Sequence, residues 1–251
     1  MNYSESISVL SSVILSTGNP HKARPLANTS SLKYSIGNSK IGDDTLIMNM
    51  GTALNCPSAK LGLCSLAHKK HGGDGSCYAL KAEQLYPSSI PYRSIQKIQF
   101  DLWEAEKIAH EMFKVIYKKR NGKRIKYVRF NESGDFHSIE QVRKAGKIAR
   151  LVREFCQMAE IPVVRFYTYT HRSDIFLGND ELISSLPSNF VINGSNFKVH
   201  NEFRVLNISR SERDKKVDGI KVNRYTCLDD CSKCSLCKVR STGITIIQAK
   251  H

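Results

Sequence analysis

The chain has 251 residues, with 38 lysines and arginines against 23 aspartates and glutamates, which gives a formal net charge of +15. This length suits one large domain or two small ones. The one-sided charge favours a polyanionic partner, and nucleic acid ranks above an anionic membrane. No apolar run approaches the roughly 20 residues of a spanning helix, and the N-terminal segment lacks the basic region of a signal peptide. We therefore expect a cytoplasmic protein whose eight cysteines are thiols or metal ligands.

Composition divides the chain into three segments. Residues 1–43 are rich in Ser, Asn and Gly and are predicted to be a poorly periodic lead-in. Residues 44–225 carry alternating strand and helix patterns and are predicted to form an α/β catalytic domain. Residues 226–251 are predicted to be a cysteine-rich metal-binding segment.

The first predicted strand is TLIMNM at 45–50, and it leads into a long loop that carries Cys56, Cys64 and Cys77. Long irregular segments inside compact domains are usually functional. Three cysteines after a first strand would suit an iron–sulfur cluster with an open iron site. Their spacings of seven and twelve residues are loose for that purpose, so a structural role or simple burial is an equal alternative.

A long amphipathic helix is predicted over 93–120, because its apolar residues recur close to helical spacing. It ends in a basic turn, KKRNGKR, at 118–124. The strand YVRF follows at 127–130. Ser138, with Gln141 three residues later, has the capping-box pattern of a helix start.

Later strands are predicted at 163–169, 190–192, 203–207 and 244–247, with a short helix over 179–186. Strands that alternate with helices indicate parallel β/α units. We therefore predict an α/β fold that is TIM-barrel-like, either full or reduced and incomplete, with a C-terminal cysteine-rich metal knuckle. Too few strands stand out to count a barrel of eight.

The stretch KYVRFNESGDFHS, residues 126–138, places two carboxylates directly after a strand. Glu132 and Asp135 enclose Ser133 and Gly134 in a turn before the next helix. Active sites of α/β proteins lie at the carboxyl ends of strands. A single acid in a turn is usually a cap or a solvated group, but two acids with Ser and Gly predict a catalytic site.

The strongest metal motif is C-x3-C-x2-C-x2-C near the C-terminus, formed by Cys227, Cys231, Cys234 and Cys237. Four thiols at these spacings can converge on one ion, and zinc is the expected metal. An iron–sulfur cluster also takes cysteines with two-residue spacers. His251 would close a Cys-Cys-Cys-His zinc site with the last three cysteines, and an unbound terminal histidine is the equal alternative.

Two of these motifs resemble the tRNA-guanine transglycosylases. Glu132–Phe136 (ESGDF) is similar to that family's acidic-Ser-Gly-Gly-Phe motif, and the C-terminal cysteines with His251 resemble its zinc knuckle. This small, basic chain looks most like the family's phage-encoded DNA relatives, the DNA-guanine transglycosylases, which insert 7-deazaguanines into DNA. The chain departs from the pattern in three ways. Glu132 replaces the usual Asp, Asp135 replaces the second Gly, and the cysteine spacing differs.

The resemblance implies exchange of guanine in DNA for a free 7-deazaguanine base through a covalent carboxylate–sugar intermediate. Such a modification would let phage DNA evade restriction in the host cytoplasm. By analogy with retaining glycoside chemistry, Glu132 and Asp135 are the predicted catalytic pair, with Asp174 as a reserve nucleophile. The target base must leave the stack and enter a pocket. The predicted substrate-binding residues are Ser133, Gly134, Phe136, Tyr169, Asn193 and Gly194. The predicted phosphate-binding residues are Lys118, Lys119, Arg120, Lys123, Arg124 and Arg172.

A second resemblance is to radical S-adenosylmethionine proteins, in which a cysteine loop follows the first strand and a Gly/acid turn follows the second. The segment from Cys56 through Cys64 to Cys77–Tyr78–Ala79 is similar in position. The chain lacks that family's C-x3-C-x2-C spacing. A third hypothesis is a non-catalytic, zinc-stabilised DNA-binding protein. The sequence leaves open the choice between DNA and tRNA and the oligomeric state.

Overall fold

The fold is an α/β sheet with helices packed on it. A computed structural model describes residues 31–38, 40–119, 122–206, 224–227, 229–240 and 244–249. Its strands are β1 Ser35–Ile36, β2 Thr45–Met48, β3 Tyr127–Phe130, β4 Arg165–Thr170, β5 Phe190–Ser195, β6 Asn201–Leu206, β7 Arg224–Thr226 and β8 Thr245–Ala249. Its helices are α1 Pro57–Lys60, α2 Tyr78–Leu85, α3 Ser89–Leu102, α4 Ala105–Tyr117, α5 Ile139–Met158, α6 Ser173–Phe176 and α7 Asp180–Ser185.

All eight described strands belong to one sheet, in the order β1-β2-β3-β4-β5-β6-β8-β7. β1 is antiparallel to β2, and every other neighbouring pair is parallel. The predicted α/β class with parallel β/α units is therefore confirmed. Among these strands the order is linear with β1 and β7 at the edges, so the described sheet is open and is not closed into a TIM barrel.

One face of the sheet carries the main apolar core. Phe130, Phe166 and Phe190 are each 0% exposed, and the Phe130 ring centroid lies 5.6 Å from that of Phe166 and 5.9 Å from that of Phe190. Helix α5 adds Val142, Val152 and other apolar residues to the same core. Burial of each such side chain stabilises the fold by roughly 1.5–3 kcal/mol. Because side chains alternate along a strand, the strand residues directly next to each phenylalanine face the other side of the sheet.

Most predicted strands occur within a few residues of their expected places. The single helix predicted over 93–120 is wrong, because the chain breaks it into α3 and α4 at Trp103 and Glu104, both of which are extended. Ile98 of α3 and Ile108 of α4 are both buried in the main core.

Ser138 is confirmed as the N-cap of α5, but the reciprocal contact of the predicted capping box is made to the residue before the cap. The Ser138 hydroxyl accepts a hydrogen bond from the Gln141 backbone N at 3.4 Å. The Gln141 side chain reaches back to accept from the His137 backbone N at 2.8 Å. These contacts satisfy two donors that the helix start would otherwise leave free.

Within the described ranges, no helix combines the length and the apolar character that crossing a bilayer requires.

His200, just before β6, predicts that the protein loses stability in mild acid. Its Nδ1 accepts a hydrogen bond from the Ile192 backbone N at 3.0 Å, so protonation of Nδ1 would break this bond. Burial, and then the charge of Arg240, lower the pKa of His200 to about 4. The unfolded chain takes up this proton near pH 6.5, so the free energy of unfolding should fall as the pH drops from 6.5 to 4, by up to about 3 kcal/mol.

Urea unfolding at pH 7, 6 and 5 measures this effect. The variant His200→Gln has no proton to gain at this position and should make the decline less steep, with His137, whose pKa desolvation also lowers to about 4, contributing to the remainder. The same change at exposed His110 should leave the decline unaltered. An equal decline in wild type and His200→Gln would contradict the assignment.

Candidate functional site

The carboxyl ends of β2 and β3 bring two predicted features to one place. The strands are parallel neighbours, with Met48 opposite Phe130. The cysteine loop follows β2, and the turn 131–135 follows β3. Gly134 has φ of 78°, and a Cβ atom there would lie 3.0 Å from the Gly51 backbone N. Glycine at 134 therefore permits both the left-handed backbone and the close contact between the two segments.

Asp135 is the most heavily hydrogen-bonded carboxylate of the turn. Its side chain is buried at 3% exposure. Oδ1 accepts from the Phe136 backbone N at 2.8 Å and from Thr170 Oγ1 at 2.7 Å. Oδ2 accepts from Ser58 Oγ at 2.6 Å and from the His171 backbone N at 2.9 Å. Four donors thus hold this carboxylate, which joins α1 to the ends of β3 and β4.

Glu132 is the more available of the two predicted catalytic acids. Its Oε1 accepts from Asn38 Nδ2 at 2.8 Å, while its Oε2 lies 4.0 Å from Arg93 Nη2. The side chain keeps 16% of its surface exposed. Its backbone carbonyl accepts from the Tyr78 hydroxyl at 2.5 Å, which ties the turn to the residue after Cys77.

A buried polar network beneath the turn was not predicted from the sequence. Glu83 Oε1 accepts from Arg93 Nη1 at 2.8 Å and from Ser133 Oγ at 3.0 Å. The Ser133 backbone N donates to Asn49 Oδ1 at 2.7 Å. Glu83 and Arg93 are 2% and 8% exposed. Charged residues at core-facing positions of two consecutive helices were the sequence pattern that would have revealed them.

The three loop cysteines lie in the same region as Asp135. Burial, and then the negative charge of Asp135, raise the pKa of Cys56 to about 12. Burial raises the pKa of Cys64 to about 11, and the nearby Cys77 and Asp135 add to that rise. Cys77 directly precedes α2. The thiols and the carboxylate are therefore electrostatic neighbours at the carboxyl edge of the sheet.

The four C-terminal cysteines also lie together. Burial raises the pKa of Cys237 to about 12, a hydrogen bond with Tyr169 lowers it, and the nearby thiols of Cys227, Cys231 and Cys234 raise it further. Asn193 Nδ2 donates to the Cys237 carbonyl at 3.0 Å. This second group therefore packs against β4 and β5.

Within the described residues, neither cysteine group presents a preformed metal-binding geometry. Among the residues whose placement is described, no three Cys, His, Asp or Glu side chains are arranged to hold a metal. His251 lies outside the described residues, so its predicted role as fourth ligand stays a prediction. The donor chemistry of both groups fits zinc or an iron–sulfur cluster, and metal binding would require the thiols to turn toward a common centre.

A chain of side-chain contacts connects the two cysteine groups across the sheet. Arg129 Nη2 donates to the Tyr78 hydroxyl at 3.0 Å, and Tyr78 follows Cys77 in sequence. The Arg129 guanidinium lies 5.2 Å from the centroid of the Tyr169 ring. Tyr169 in turn bonds to Cys237. Tyr169, predicted to bind substrate, therefore lies between the two groups.

The other predicted substrate-binding residues have packing roles in this structure. Phe136 is 0% exposed, and its ring packs against Phe176 at 6.4 Å within the core. Asn193 is 0% exposed and donates to the Thr168 carbonyl at 2.9 Å. A Cβ at Gly194 would lie 2.3 Å from the Phe197 carbonyl oxygen, so Gly194 permits a tight backbone contact.

Two residues at the end of β4 bind one another. Arg172 Nη2 lies 2.8 Å from Asp174 Oδ2, and a hydrogen bond from Arg172 lowers the pKa of Asp174. Arg172 is 6% exposed and also donates to the Phe136 carbonyl. The guanidinium predicted to bind phosphate is thus enclosed, and it holds the reserve nucleophile.

The basic turn before β3 lies at the opposite end of that strand from Glu132. Lys118, Lys119 and Lys123 are exposed, and Arg124 is half-buried; Arg120 lies outside the described residues. Because β3 runs from this turn toward Glu132, its four residues separate the two features by roughly 13 Å. The predicted phosphate-binding and catalytic residues therefore do not form one continuous patch.

Comparison with known proteins gives one assignment. No curated protein and no solved structure matches the chain. The family model described as Gene product 88 matches residues 13–237, which is most of the sequence. The chain therefore belongs to the Gene product 88 family.

Proposed function

We propose that the chain is an iron–sulfur enzyme of the radical S-adenosylmethionine type, with its cluster bound by Cys56, Cys64 and Cys77. The observation that carries the proposal is the grouping of these three thiols with Asp135 at the carboxyl ends of β2 and β3. Parallel α/β proteins bind their ligands at this edge. The arrangement is the one that the resemblance to radical S-adenosylmethionine proteins implies, on a parallel sheet that would represent a reduced, open barrel.

Three cysteine ligands would leave one iron of a four-iron cluster open to a bound molecule, and the cluster would supply one-electron chemistry. The chain's own residues would shape the space beside it. Tyr78 fixes the Glu132 carbonyl, and Glu83 holds Ser133. Glu132 Oε2, whose nearest ionic partner is 4.0 Å away, would be available to accept a hydrogen bond from a bound amine or hydroxyl.

The proposal is tested by metal content and turnover. Protein reconstituted with iron and sulfide without oxygen should be brown and should contain about four irons per loop cluster. With a strong reductant it should cleave S-adenosylmethionine. Wild-type protein that binds only zinc under these conditions, and cleaves nothing, would overturn the proposal.

Base exchange on DNA is a second candidate, and the accessible carboxylate of Glu132 favours it. One carboxylate at a strand end would attack the anomeric carbon of a flipped nucleotide and displace guanine, and the incoming 7-deazaguanine base would then displace the carboxylate. The net charge of +15 would favour DNA as partner, and the C-terminal cysteines would hold zinc. Asp135 does not suit the nucleophile's role, because four donors already occupy its oxygens.

Incubation with duplex DNA and a free 7-deazaguanine base, followed by mass analysis of the digested nucleosides, tests this second candidate. Glu132→Gln should reduce incorporation by about two orders of magnitude or more, because a neutral amide cannot replace the attacking carboxylate. The matched change Glu104→Gln, at an exposed residue before α4, should have no effect. Absence of incorporation by wild type would reject base exchange.

A further inference from the structure

Arg129 is a charged residue held against the sheet without an acidic partner. In the part of the chain that the structure describes, no carboxylate lies within ion-pairing distance of its guanidinium, and its buried Nε has no hydrogen-bond partner. Its described contacts are the Tyr78 hydroxyl at 3.0 Å and the ring of Tyr169 at 5.2 Å. Glu132 is near enough to act on the charge, but it forms no ion pair with Arg129: its Oε1 accepts from Asn38, and its Oε2 lies 4.0 Å from Arg93 Nη2.

The neighbouring phenols do not supply the missing negative charge. The phenol of tyrosine has an ordinary pKa of about 10. Both tyrosines therefore stay neutral at physiological pH. Removing an unpaired charge from bulk water raises the free energy of the folded state. We therefore expect Arg129 to bind a negatively charged ligand.

Asn131, two positions further along, has the same deficiency. It is 5% exposed, and neither Oδ1 nor Nδ2 of its side chain has a hydrogen-bond partner. Its backbone has φ of 57°, a conformation that asparagine tolerates better than most residues. Buried polar atoms are rarely left without partners unless a bound molecule completes them.

We propose that Arg129 and Asn131 bind the oxyanion group, a carboxylate or a phosphate, of a small-molecule ligand at the end of β3 between the two cysteine groups. A guanidinium presents parallel donors that match such a group, and the Asn131 amide would add a further N–H donor. Both tyrosines contact the guanidinium; Tyr78 follows Cys77 in sequence, and Tyr169 forms a hydrogen bond with Cys237. A ligand here would lie beside both thiol groups.

If the chain is the proposed enzyme, this ligand would be its substrate, and only that role depends on the proposed function. Anion binding itself needs no metal. The two proposals can therefore fail separately: the metal-free chain tests the anion site, and iron content tests the cluster.

The experiment is a titration of the metal-free, ¹⁵N-labelled chain with inorganic phosphate and, separately, with acetate. The Nε–Hε signal of Arg129, identified by its loss in Arg129→Lys, should shift and saturate with at least one anion. Saturation with phosphate alone would identify a phosphate site, and saturation with acetate alone would identify a carboxylate site. Arg129→Gln should weaken the binding, measured by calorimetry, at least tenfold.

Two further variants keep the test decisive. Asn131→Asp preserves the backbone conformation and adds a negative charge, so it should weaken anion binding even if Arg129→Gln does not fold. Arg165→Gln, at an exposed position at the start of β4, should bind as wild type does. Equal binding by wild type and Arg129→Gln, or no saturable shift with either anion, would overturn the proposal.

Discussion

Replacing Cys56, Cys64 and Cys77 together by serine is expected to abolish iron binding at the cysteine loop and, with it, all cleavage of S-adenosylmethionine. Serine hydroxyls remain protonated at neutral pH and do not replace thiolates as iron ligands. The proposed cluster uses all three thiols as ligands, and Cys64 is an electrostatic neighbour of Cys56, of Cys77 and of Asp135. Each single serine variant should therefore lose most of the iron as well, measured by iron and sulfide content after reconstitution.

Two matched variants separate this cluster from the rest of the protein. Cys156→Ser changes a fully buried cysteine in α5, so it should leave the iron content unchanged. Serine at Cys231, Cys234 and Cys237 should remove the metal of the second group but leave the loop cluster in place. If the triple loop variant bound as much iron as wild type, the loop would not be the cluster site.

The strands were predictable because their patterns are local. The run TLIM is buried at every position, the run YVRF is buried at alternate positions, and these runs form β2 and β3. The break between α3 and α4 was missed because Trp103 and Glu104 include neither proline nor glycine. There the packing of two apolar stripes into one core overrides helix propensity.

The candidate site was only partly predictable, because its important contacts are between residues far apart in sequence. The motif pointed equally to Glu132 and Asp135. Their different environments come from Ser58, which is 77 positions before Asp135, and from Thr170, which is 35 positions after it. The spacing of residues along the chain does not predict either hydrogen bond.

The net charge was a poor guide to the position of a site. The basic turn 118–124 and the strand-end turn 131–135 are close in sequence, which made one continuous nucleic-acid surface plausible. Because β3 runs from the first turn to the second, the two turns lie at opposite ends of this strand. The cation that points to a binding site is Arg129, which lies within the strand between these two turns. Among the described residues it has no carboxylate partner.

Asp135→Asn is expected to destabilise the fold by about 2–4 kcal/mol, although it changes one atom. Asparagine replaces one carboxylate oxygen by an NH2 group, which would face donors that now bind that oxygen. The Ser58 hydroxyl can rotate and accept, but the His171 backbone N–H cannot. One buried donor would therefore be left facing another, and α1 would lose part of its attachment to β4.

Urea unfolding of the metal-free chain measures this effect without any contribution from a bound cluster. Asp43→Asn is the control, since its side chain is 69% exposed and the change should cost less than about 1 kcal/mol. Ser58→Ala and Asp135→Asn should be non-additive, because both change the hydrogen bond between residues 58 and 135. If Asp135 were instead the nucleophile of base exchange, Asp135→Asn would keep wild-type stability but would no longer incorporate 7-deazaguanine into DNA. That pair of results would reject a structural role for Asp135.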